Sequence, residues 1–253
     1  MARQVRQISS TGIYHVMFRG INLQNIFSKN IDYDKFLKIL QKYADNGNYK
    51  IYAYCLMNNH IHLLIQEDME SISNSMKRIG VSYVSWYNWQ YSRKGHLFQD
   101  RFKSEAIEDD IYFLTVLRYI HQNPVKAGLT KNVNNYKWNS YNEYVKKNMF
   151  VDTEYGLSLF SENYNKSLQE FKKFHEENND DECLDIQEKK RTISDGEIEQ
   201  IIYNKYNIDI GKLHSLKKDK QDEIFRELKE KGGSSLRQLS RLTGFTVHRI
   251  YKA

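Results

Sequence analysis

The sequence has few of the residues that cross-link extracellular domains or interrupt helices. Its 253 residues include two cysteines, Cys55 and Cys183, and a single proline, Pro124. Two cysteines cannot form a disulfide framework, so a reduced, cytoplasmic setting is expected. The sequence also lacks an apolar run long enough to span a bilayer and an N-terminal stretch that resembles a signal peptide, so we expect no membrane partner.

Basic and aromatic residues, by contrast, are plentiful. The formal net charge is +6, and the sequence includes 19 Tyr, 12 Phe and 3 Trp. A positive excess fits a polyanionic partner such as nucleic acid, and aromatic rings among Lys and Arg can stack on unpaired bases, although most rings are expected in the core. Hydrophobic residues make up 40% of the chain, which is enough for one medium and one small domain.

The most informative stretch is a predicted strand that carries two histidines. Ile61, Leu63 and Ile65 occupy alternate positions, which is typical of a strand with one face in a core. His60 and His62 are two residues apart, so their side chains leave this strand together on the opposite, open face. Two neighbouring imidazoles can share a metal ion. For an isolated pair, ordinary hydrogen bonding is the competing interpretation.

Strand and helix periods follow one another in the order β-α-β-β-α-β-α. The four strands are expected at residues 13–19, 49–57, 60–65 and 97–107. Asp32 is expected to cap the first helix, the second begins at Ser71, and Pro124 stops the third. This order predicts an α+β fold with a ferredoxin-like antiparallel sheet and helices on one face. The third helix is then free to lie near the histidines.

The third predicted helix supplies a candidate nucleophile. Tyr119 and Asn123 are four residues apart and share a helix face, whereas His121 lies about 200° away. Tyr112, two turns earlier on the Tyr119 face, is the rival nucleophile, but only Tyr119 is next to a candidate metal ligand. A metal held by Asn123 and the two strand histidines would leave positions open for phosphate oxygens. Tyr119 could then form a covalent phosphotyrosine on an unpaired DNA strand.

The last part of the sequence predicts a separate helical domain. The expected divisions are a first domain at 1–147, a helical segment and charged linker at 148–191, and a small all-α domain at 192–253. Few contacts are expected to cross the charged linker at 176–191. Ser240 and Ile250 lie four residues before and six residues after Gly244, a spacing typical of a helix-turn-helix, and a plain helical hairpin is the alternative. A helix-turn-helix here would contact duplex DNA through Thr246, His248, Arg249 and Lys252.

Further basic residues of the first domain are candidates for contacts to DNA phosphates. They are Arg19, Lys77, Arg78, Arg93, Lys94, Arg101 and Lys103. Such contacts weaken with salt, because each neutralised phosphate releases counterions. A solvated surface is the alternative for at least half of these residues.

Several short motifs together resemble one known family. The motifs are FRG at 18–20, NIF at 25–27, DY at 32–33, MNNHIH at 57–62, GHLFQDRFK at 95–103 and YIHQNPVKAGL at 119–129. No single motif is specific, but the set is. It resembles the single-tyrosine HUH transposases, in particular those related to the REP-associated tyrosine transposases, over the first domain. The C-terminal domain resembles, over a short stretch, the helix-turn-helix of chromosomal replication initiators.

The family resemblance implies roles for four residues. His60 and His62 would be the HUH histidines, Tyr119 the nucleophile, and Asn123 the third metal ligand. It also implies Mg²⁺ or Mn²⁺, a 5′-phosphotyrosine link, and a preference for single strands beside DNA hairpins. Ligand chemistry alone does not select these metals, because two imidazoles also suit Zn²⁺. The oligomeric state stays open, a homodimer being one option.

Three functions fit these observations. The first is a metal-dependent single-strand DNA endonuclease and transposase. The second is a domesticated DNA-binding regulator that no longer cuts, against which the intact set of His60, His62, Tyr119 and Asn123 argues. The third is a replication initiator or relaxase of the wider HUH group, which a single tyrosine helix and the lack of a helicase-like segment disfavour.

Overall fold

The computed structural model of the chain describes residues 7–146, 150–185, 194–231 and 234–253. The chain divides into two compact units, Met1–Asp185 and Ile186–Ala253. Each unit has a hydrophobic core of its own. Within the described ranges, no helix is both long and apolar enough to cross a membrane.

A four-stranded antiparallel sheet forms the centre of the first unit. Its strands are β1 (Ile13–Arg19), β2 (Tyr49–Leu56), β3 (His60–Glu67) and β4 (Lys103–Ile107), in the spatial order β2-β3-β1-β4. β3 pairs with β2 on one side and with β1 on the other, so the strand that carries the histidines is central. The predicted α+β, ferredoxin-like fold is confirmed.

Helices cover both faces of this sheet. In the described part of the first unit, the helices are α1 (Asn30–Asp45), α2 (Ile72–Gln90), α3 (Asp110–Lys126), α4 (Tyr141–Lys146), α5 (Glu154–Ser158) and α6 (Tyr164–Glu176). On one face, Phe27 packs against Phe36 of α1 and Tyr83 of α2. On the other, α3 lies over the histidines, as predicted, with the Tyr119 ring 5.7 Å from the His62 ring. The sheet face that carries the histidines was expected to be open. In the structure α3 covers it, so His62 is fully buried.

Two element boundaries differ from those predicted. β4 begins at Lys103 rather than at residue 97, because Leu97 and Phe98 turn into the core, where Phe98 keeps only an isolated bridge to Gly20. α3 does not stop at Pro124 but continues to Lys126. A proline this close to the helix end removes one hydrogen bond, while the Ala127 N–H still donates to the Asn123 carbonyl at 2.9 Å. Asn123 therefore stays helical.

Asp32 caps α1 from within the helix rather than from the position before it. α1 begins at Asn30, and Asp32 Oδ2 accepts hydrogen bonds from the backbone N–H groups of Ser28 at 2.7 Å and Lys29 at 2.8 Å. Asp32 Oδ1 accepts a third, from the Tyr91 hydroxyl, at 2.7 Å. The carboxylate thus fixes the start of α1 and joins it to the end of α2.

The first unit extends beyond residue 147, where the predicted first domain ends. Phe171 of α6 is fully buried and stacks on Tyr144 of α4, with ring centroids 4.7 Å apart. A methyl group on Gly156 of α5 would lie 2.9 Å from the Tyr144 hydroxyl, so this approach requires glycine. α5 and α6 therefore share the core of the sheet.

The second unit is helical. Its helices are α7 (Asp195–Tyr206), α8 (Lys218–Lys231), α9 (Leu236–Thr243) and α10 (Val247–Lys252). Gly244 ends α9 with φ +75°, a left-handed conformation that favours glycine, and the Ser240 hydroxyl donates to the Phe245 carbonyl across the turn at 2.6 Å. Leu239 and Ile250 bury the two helices against each other. Whether this pair acts as a helix-turn-helix stays a prediction.

Candidate active site

The histidine end of β3 is where the candidate site forms. His62 has no exposed surface, and β1 places His15 on the same sheet face. Across the ladder His62 is opposite Met17 and His15 is opposite Leu64, so the two histidines are diagonal neighbours. His15 Nε2 and His62 Nδ1 are 2.9 Å apart, and the ring centroids are 5.1 Å apart. His62 Nε2 is then the nitrogen left to face the site.

His60, the first residue of β3, is only partly buried. Its Nδ1 lies 2.7 Å from the side-chain oxygen of Asn59. An amide oxygen can only accept, so the proton of the ring lies on Nδ1 and Nε2 keeps its lone pair. Nε2 faces Asn123 Oδ1 of α3 at 3.4 Å. Two atoms with lone pairs thus face each other, which is an arrangement that a cation can bridge.

Tyr119 of α3 reaches the same site from the helix above the sheet. Its side chain is almost fully buried, and its ring lies 5.7 Å from the His62 ring and 5.9 Å from the His15 ring. The hydroxyl donates a hydrogen bond to the Asp185 carboxylate. Burial raises the pKa of Tyr119 above its usual value, and the bond to Asp185 raises it further. The hydroxyl therefore keeps its proton until an acceptor takes it.

The sequence did not indicate Asp185 as a site residue. Asp185 belongs to a stretch predicted to be a charged linker with few contacts, and no periodicity marks it. In the structure Asp185 Oδ1 lies 4.0 Å from His62 Nε2. The carboxylate thus adds an oxygen atom that could ligate a metal together with the two imidazoles.

Contacts along α3 hold the segment that ends at Asp185. The Arg118 guanidinium binds both carboxylate oxygens of Asp181, at 2.7 Å and 3.0 Å. Asn179 donates to the side-chain oxygen of Gln122 at 2.8 Å. Next to Asp185, the Leu184 N–H donates to Glu105 of β4 at 3.2 Å. The expectation of few contacts is therefore wrong for residues 177–185, and these bonds fix Asp185 over the site.

The donor set fits a divalent metal. One ligand atom each from His60, His62 and Asp185 lie within 4.8 Å of one another. His62 Nε2 is buried and has no hydrogen-bond partner among the residues that the structure describes. Two imidazole nitrogens and a carboxylate, with the Asn123 oxygen beside them, suit Mn²⁺ and Zn²⁺, and the oxygens suit Mg²⁺ as well.

Electrostatics keep the imidazoles of this site neutral. Burial lowers the pKa of His15 to about 3. The pKa of His62 is lowered well below its usual value by burial and, to a lesser extent, by His15 and His60. Burial also lowers the pKa of His60, although Asp185 opposes the shift. Neutral imidazoles near pH 7 are the form that ligates metals.

Two residues weighed in the sequence lie elsewhere. Tyr112 is half-buried beside Cys183, and burial followed by a hydrogen bond to Glu105 raises the pKa of its hydroxyl. His121 points into the interface with α6, where Nδ1 lies 2.9 Å from His175 Nε2 and Nε2 lies 2.8 Å from the Ser140 hydroxyl. Of the two tyrosines, only Tyr119 has ring contacts with the histidines in the described part of the chain.

The predicted DNA-contacting residues of the first unit have different surroundings. Arg19 is opposite His60 in the β1–β3 ladder, at the edge of the site. Lys77 and Arg101 line a groove of about 650 Å³ between α2 and residues 96–102. Lys94 and Lys103 are exposed, whereas Arg78 pairs with Glu70 at 3.0 Å and Arg93 donates to Gln24 at 3.3 Å. Their contacts to DNA stay predictions.

The corresponding residues of the second unit lie at the start of α10 and along it. Thr246 caps α10 by accepting a hydrogen bond from the Arg249 N–H at 3.2 Å. His248 and Lys252 are exposed, and the Arg249 guanidinium is ion-paired with Asp222. Binding of duplex DNA through these residues is a prediction that the geometry leaves open.

Two histidines on a central strand face a tyrosine on the helix above, which is the arrangement expected of a single-tyrosine HUH domain on a ferredoxin-like sheet. Residues 8–123 match the sequence model of the family described as "Transposase IS200 like". The first unit of this chain is therefore similar to the IS200-like transposases over these residues.

Individual relatives agree with this family. The chain is 27% identical over 166 residues to a REP-associated tyrosine transposase of Haemophilus influenzae, a match that covers 60% of this chain and 92% of the relative. Among solved structures, a REP-associated tyrosine transposase bound to a REP hairpin matches with a TM-score of 0.50 and 18% identity, covering 60% of this chain and 93% of that chain. This structural likeness supports the fold.

Proposed function

We propose that the chain is a metal-dependent single-strand DNA endonuclease and transposase that cuts and rejoins DNA through a phosphotyrosine on Tyr119. One observation carries the proposal. The Tyr119 hydroxyl bonds to Asp185, whose carboxylate lies within 4.8 Å of ligand atoms on His60 and His62. A nucleophile, a proton acceptor and metal ligands thus occupy one site.

In the proposed first step, the Tyr119 oxygen attacks a backbone phosphorus. A bond from this oxygen to phosphorus forms, and the bond from phosphorus to the 3′ oxygen breaks. The 3′ oxygen takes a proton from solvent water, which leaves a 5′-phosphotyrosine and a free 3′-hydroxyl. The tyrosine proton passes to Asp185, which already accepts its hydrogen bond. Rejoining reverses these changes with the 3′-hydroxyl of another DNA end. The bonds are exchanged without an external energy source.

His60, His62, Asp185 and Asn123 would hold a Mg²⁺ or Mn²⁺ ion. When bound, the ion offsets negative charge on the non-bridging phosphate oxygens. Asn59 keeps the proton of His60 on Nδ1, so that Nε2 is available. Asn123 lies one helical turn from Tyr119, so α3 holds the nucleophile beside one of the proposed ligands. The residues thereby orient the phosphate relative to the hydroxyl.

The substrate we propose is an unpaired strand beside a DNA hairpin. Burial of Tyr119 and His62 leaves no room for a duplex at the reacting atoms, whereas a single strand can bend its backbone toward them. The similar solved transposase is bound to a REP hairpin, which supports a hairpin next to the cleaved strand. Exposed Lys77, Lys94 and Arg101 offer charges for the phosphates nearby.

The test uses a labelled hairpin with a single-stranded flank, incubated with the full chain and Mg²⁺ or Mn²⁺. The wild-type protein is expected to cleave the flank and to stay attached to the 5′ end, which denaturing electrophoresis detects. Tyr119→Phe is expected to bind the DNA and form no adduct. Tyr112→Phe is the matched control and is expected to retain activity. An adduct formed by Tyr119→Phe, or an inactive Tyr112→Phe, would contradict the assignment.

For the second unit we propose binding of duplex DNA, through the exposed residues of α10. Thr246, His248 and Lys252 are accessible, but Arg249 would have to leave Asp222 to reach a phosphate. A regulator that binds DNA without cutting is the competing function of the whole chain. The same cleavage assay separates them, because a regulator would bind the hairpin without forming an adduct.

A further inference from the structure

His15 is a fully buried histidine with little polar contact. Its Nε2 is 2.9 Å from His62 Nδ1, and its Nδ1 has no hydrogen-bond partner in the described part of the chain. A buried polar atom without a partner destabilises the fold that contains it. Packing alone would therefore favour an apolar residue at this position in β1. The histidine requires another explanation.

The hydrogen bond to His62 provides it. His62 can bind a cation through Nε2 only if that nitrogen has a lone pair, and the ring proton must then be on Nδ1. A proton on Nδ1 needs an acceptor at hydrogen-bond distance, and His15 Nε2 is placed there. Asn59 has the corresponding place at His60, where its oxygen accepts from Nδ1 at 2.7 Å. His62 and His60 thus each have an acceptor for the Nδ1 proton, His15 for the first and Asn59 for the second.

We propose that His15 is a positioning residue, which accepts the Nδ1 proton of His62 and so holds His62 Nε2 ready for the metal. The inference rests on the metal site of the proposed function. It goes beyond that function by adding a residue from β1 that touches neither metal nor DNA. Partners of this kind fix the orientation and tautomer of a metal-binding imidazole, and losing one weakens metal affinity roughly 10- to 100-fold.

Three variants of the full chain test the role of His15. His15→Phe keeps a ring but has no acceptor. His15→Gln puts an amide oxygen near the position of Nε2, whereas the shorter His15→Asn puts its amide near Nδ1, out of reach of His62. Binding of Mn²⁺ is measured without DNA from the electron paramagnetic resonance signal of the free ion, and melting is measured in EDTA.

His15→Phe and His15→Asn are expected to bind Mn²⁺ roughly 10- to 100-fold more weakly than the wild-type protein, and His15→Gln is expected to recover most of the affinity. His15→Phe is expected to melt in EDTA near the wild-type temperature, because removing the unpaired Nδ1 of His15 offsets the lost acceptor for His62 Nδ1. A purely structural residue would show the reverse: a lower melting temperature and unchanged Mn²⁺ affinity. Wild-type affinity in His15→Phe would overturn the inference.

Mn²⁺ binding by His62→Ala and by the wild-type protein separates this inference from the proposed metal site. If His62→Ala loses Mn²⁺ binding while His15→Phe keeps it, the inference fails and the proposed metal site stands. If the wild-type protein binds no Mn²⁺, both fail. Nitrogen-15 NMR of the Mg²⁺-loaded wild-type protein needs no variant, and it is expected to find the His62 proton on Nδ1. A proton on Nε2 would overturn the inference even if every variant failed to fold.

Discussion

The Asp185 carboxylate accepts a hydrogen bond from the Tyr119 hydroxyl, across 66 residues of sequence. The last residue of the first unit therefore lies against the candidate nucleophile. The Asp185 carboxylate can accept the tyrosine proton and can ligate the metal. Either role predicts that removing the carboxylate slows cleavage.

Asp185→Asn is expected to slow formation of the phosphotyrosine adduct roughly 10²- to 10⁴-fold, because an amide accepts a proton far less readily than a carboxylate. Single-turnover cleavage of the labelled hairpin measures the rate. Asp180→Asn, at an exposed position in the same segment, makes the same change of charge and is expected to cleave at the wild-type rate. Equal rates for the two variants would remove Asp185 from the reaction.

Truncation is expected to separate the two units by function. A chain that ends after Asp185 keeps every residue of the proposed site and is expected to cut short hairpins at the wild-type rate. A chain that ends after Lys146 loses α5, α6 and Asp185, and it is expected to lose cleavage and to melt at a lower temperature. Binding of a longer DNA with a duplex flank is expected to weaken in both. Undiminished binding by the first truncated chain would assign the second unit another role.

Metal binding is expected to stabilise the folded chain. A ligand that binds only the native state at 100 times its Kd adds about 2.7 kcal/mol. Mn²⁺ should therefore raise the melting temperature of the wild-type protein and not that of His60→Ala. His96→Ala, at an exposed histidine, is the control and is expected to respond as wild type. A wild-type protein that cleaves fully in excess EDTA would exclude the metal from the mechanism.

The salt dependence of DNA binding is expected to distinguish basic side chains that contact phosphates from those that pair with a carboxylate of the protein. The logarithm of single-strand affinity falls with the logarithm of salt concentration, with a slope of about −0.7 per phosphate neutralised. Lys77→Gln and Arg101→Gln should each make the slope shallower by about that amount. Arg78→Gln is the matched comparison and should change the slope less, since Glu70 holds its guanidinium at 3.0 Å. A slope of zero for the wild-type protein would refute the whole group of contacts.

The His121–His175 pair is expected to make the fold sensitive to acid. Burial lowers the pKa of His175 to about 3 and that of His121 well below its usual value. Below about pH 6.5 the unfolded chain therefore binds protons that the folded chain does not, and stability falls with pH. His175 should remove on the order of 2 kcal/mol between pH 6.5 and 5, and His121 changes stability in the same direction.

Urea unfolding at several pH values measures this loss. His175→Gln keeps an acceptor for His121 and removes one of the two titrating groups. Its free energy of unfolding should therefore fall less steeply below pH 6.5 than that of the wild-type chain. Parallel curves for the two proteins would show that His175 is not the source of the acid sensitivity.

The sheet and the central part of the site were predictable because their signals are local. Alternation of apolar residues gave β1 and β3, and the four-residue spacing put Tyr119 and Asn123 on one face of α3. The strand predicted to begin at Leu97 was too long, because apolar side chains reach the core equally well from a loop.

The remaining parts of the site depend on contacts that no local pattern contains. His15 lies on the same face of β1 as Met17, which alternation indicates, but only the register of β1 against β3 makes it a neighbour of His62. Asp185 reaches Tyr119 through bonds such as that between Asp181 and Arg118. A charged stretch with such partners has the same composition as a solvated linker.

The position of Asp185 at the end of the first unit also bears on synthesis. A ribosome makes the chain from its N-terminus, and N-terminal domains generally fold first. The sheet, α3 and Tyr119 can therefore assemble on a nascent chain that has not yet received its last acidic group. If Asp185 is needed for cutting, translation itself sets the time at which the nuclease becomes active. Products of premature termination before that codon would leave the single-stranded DNA of the cell intact.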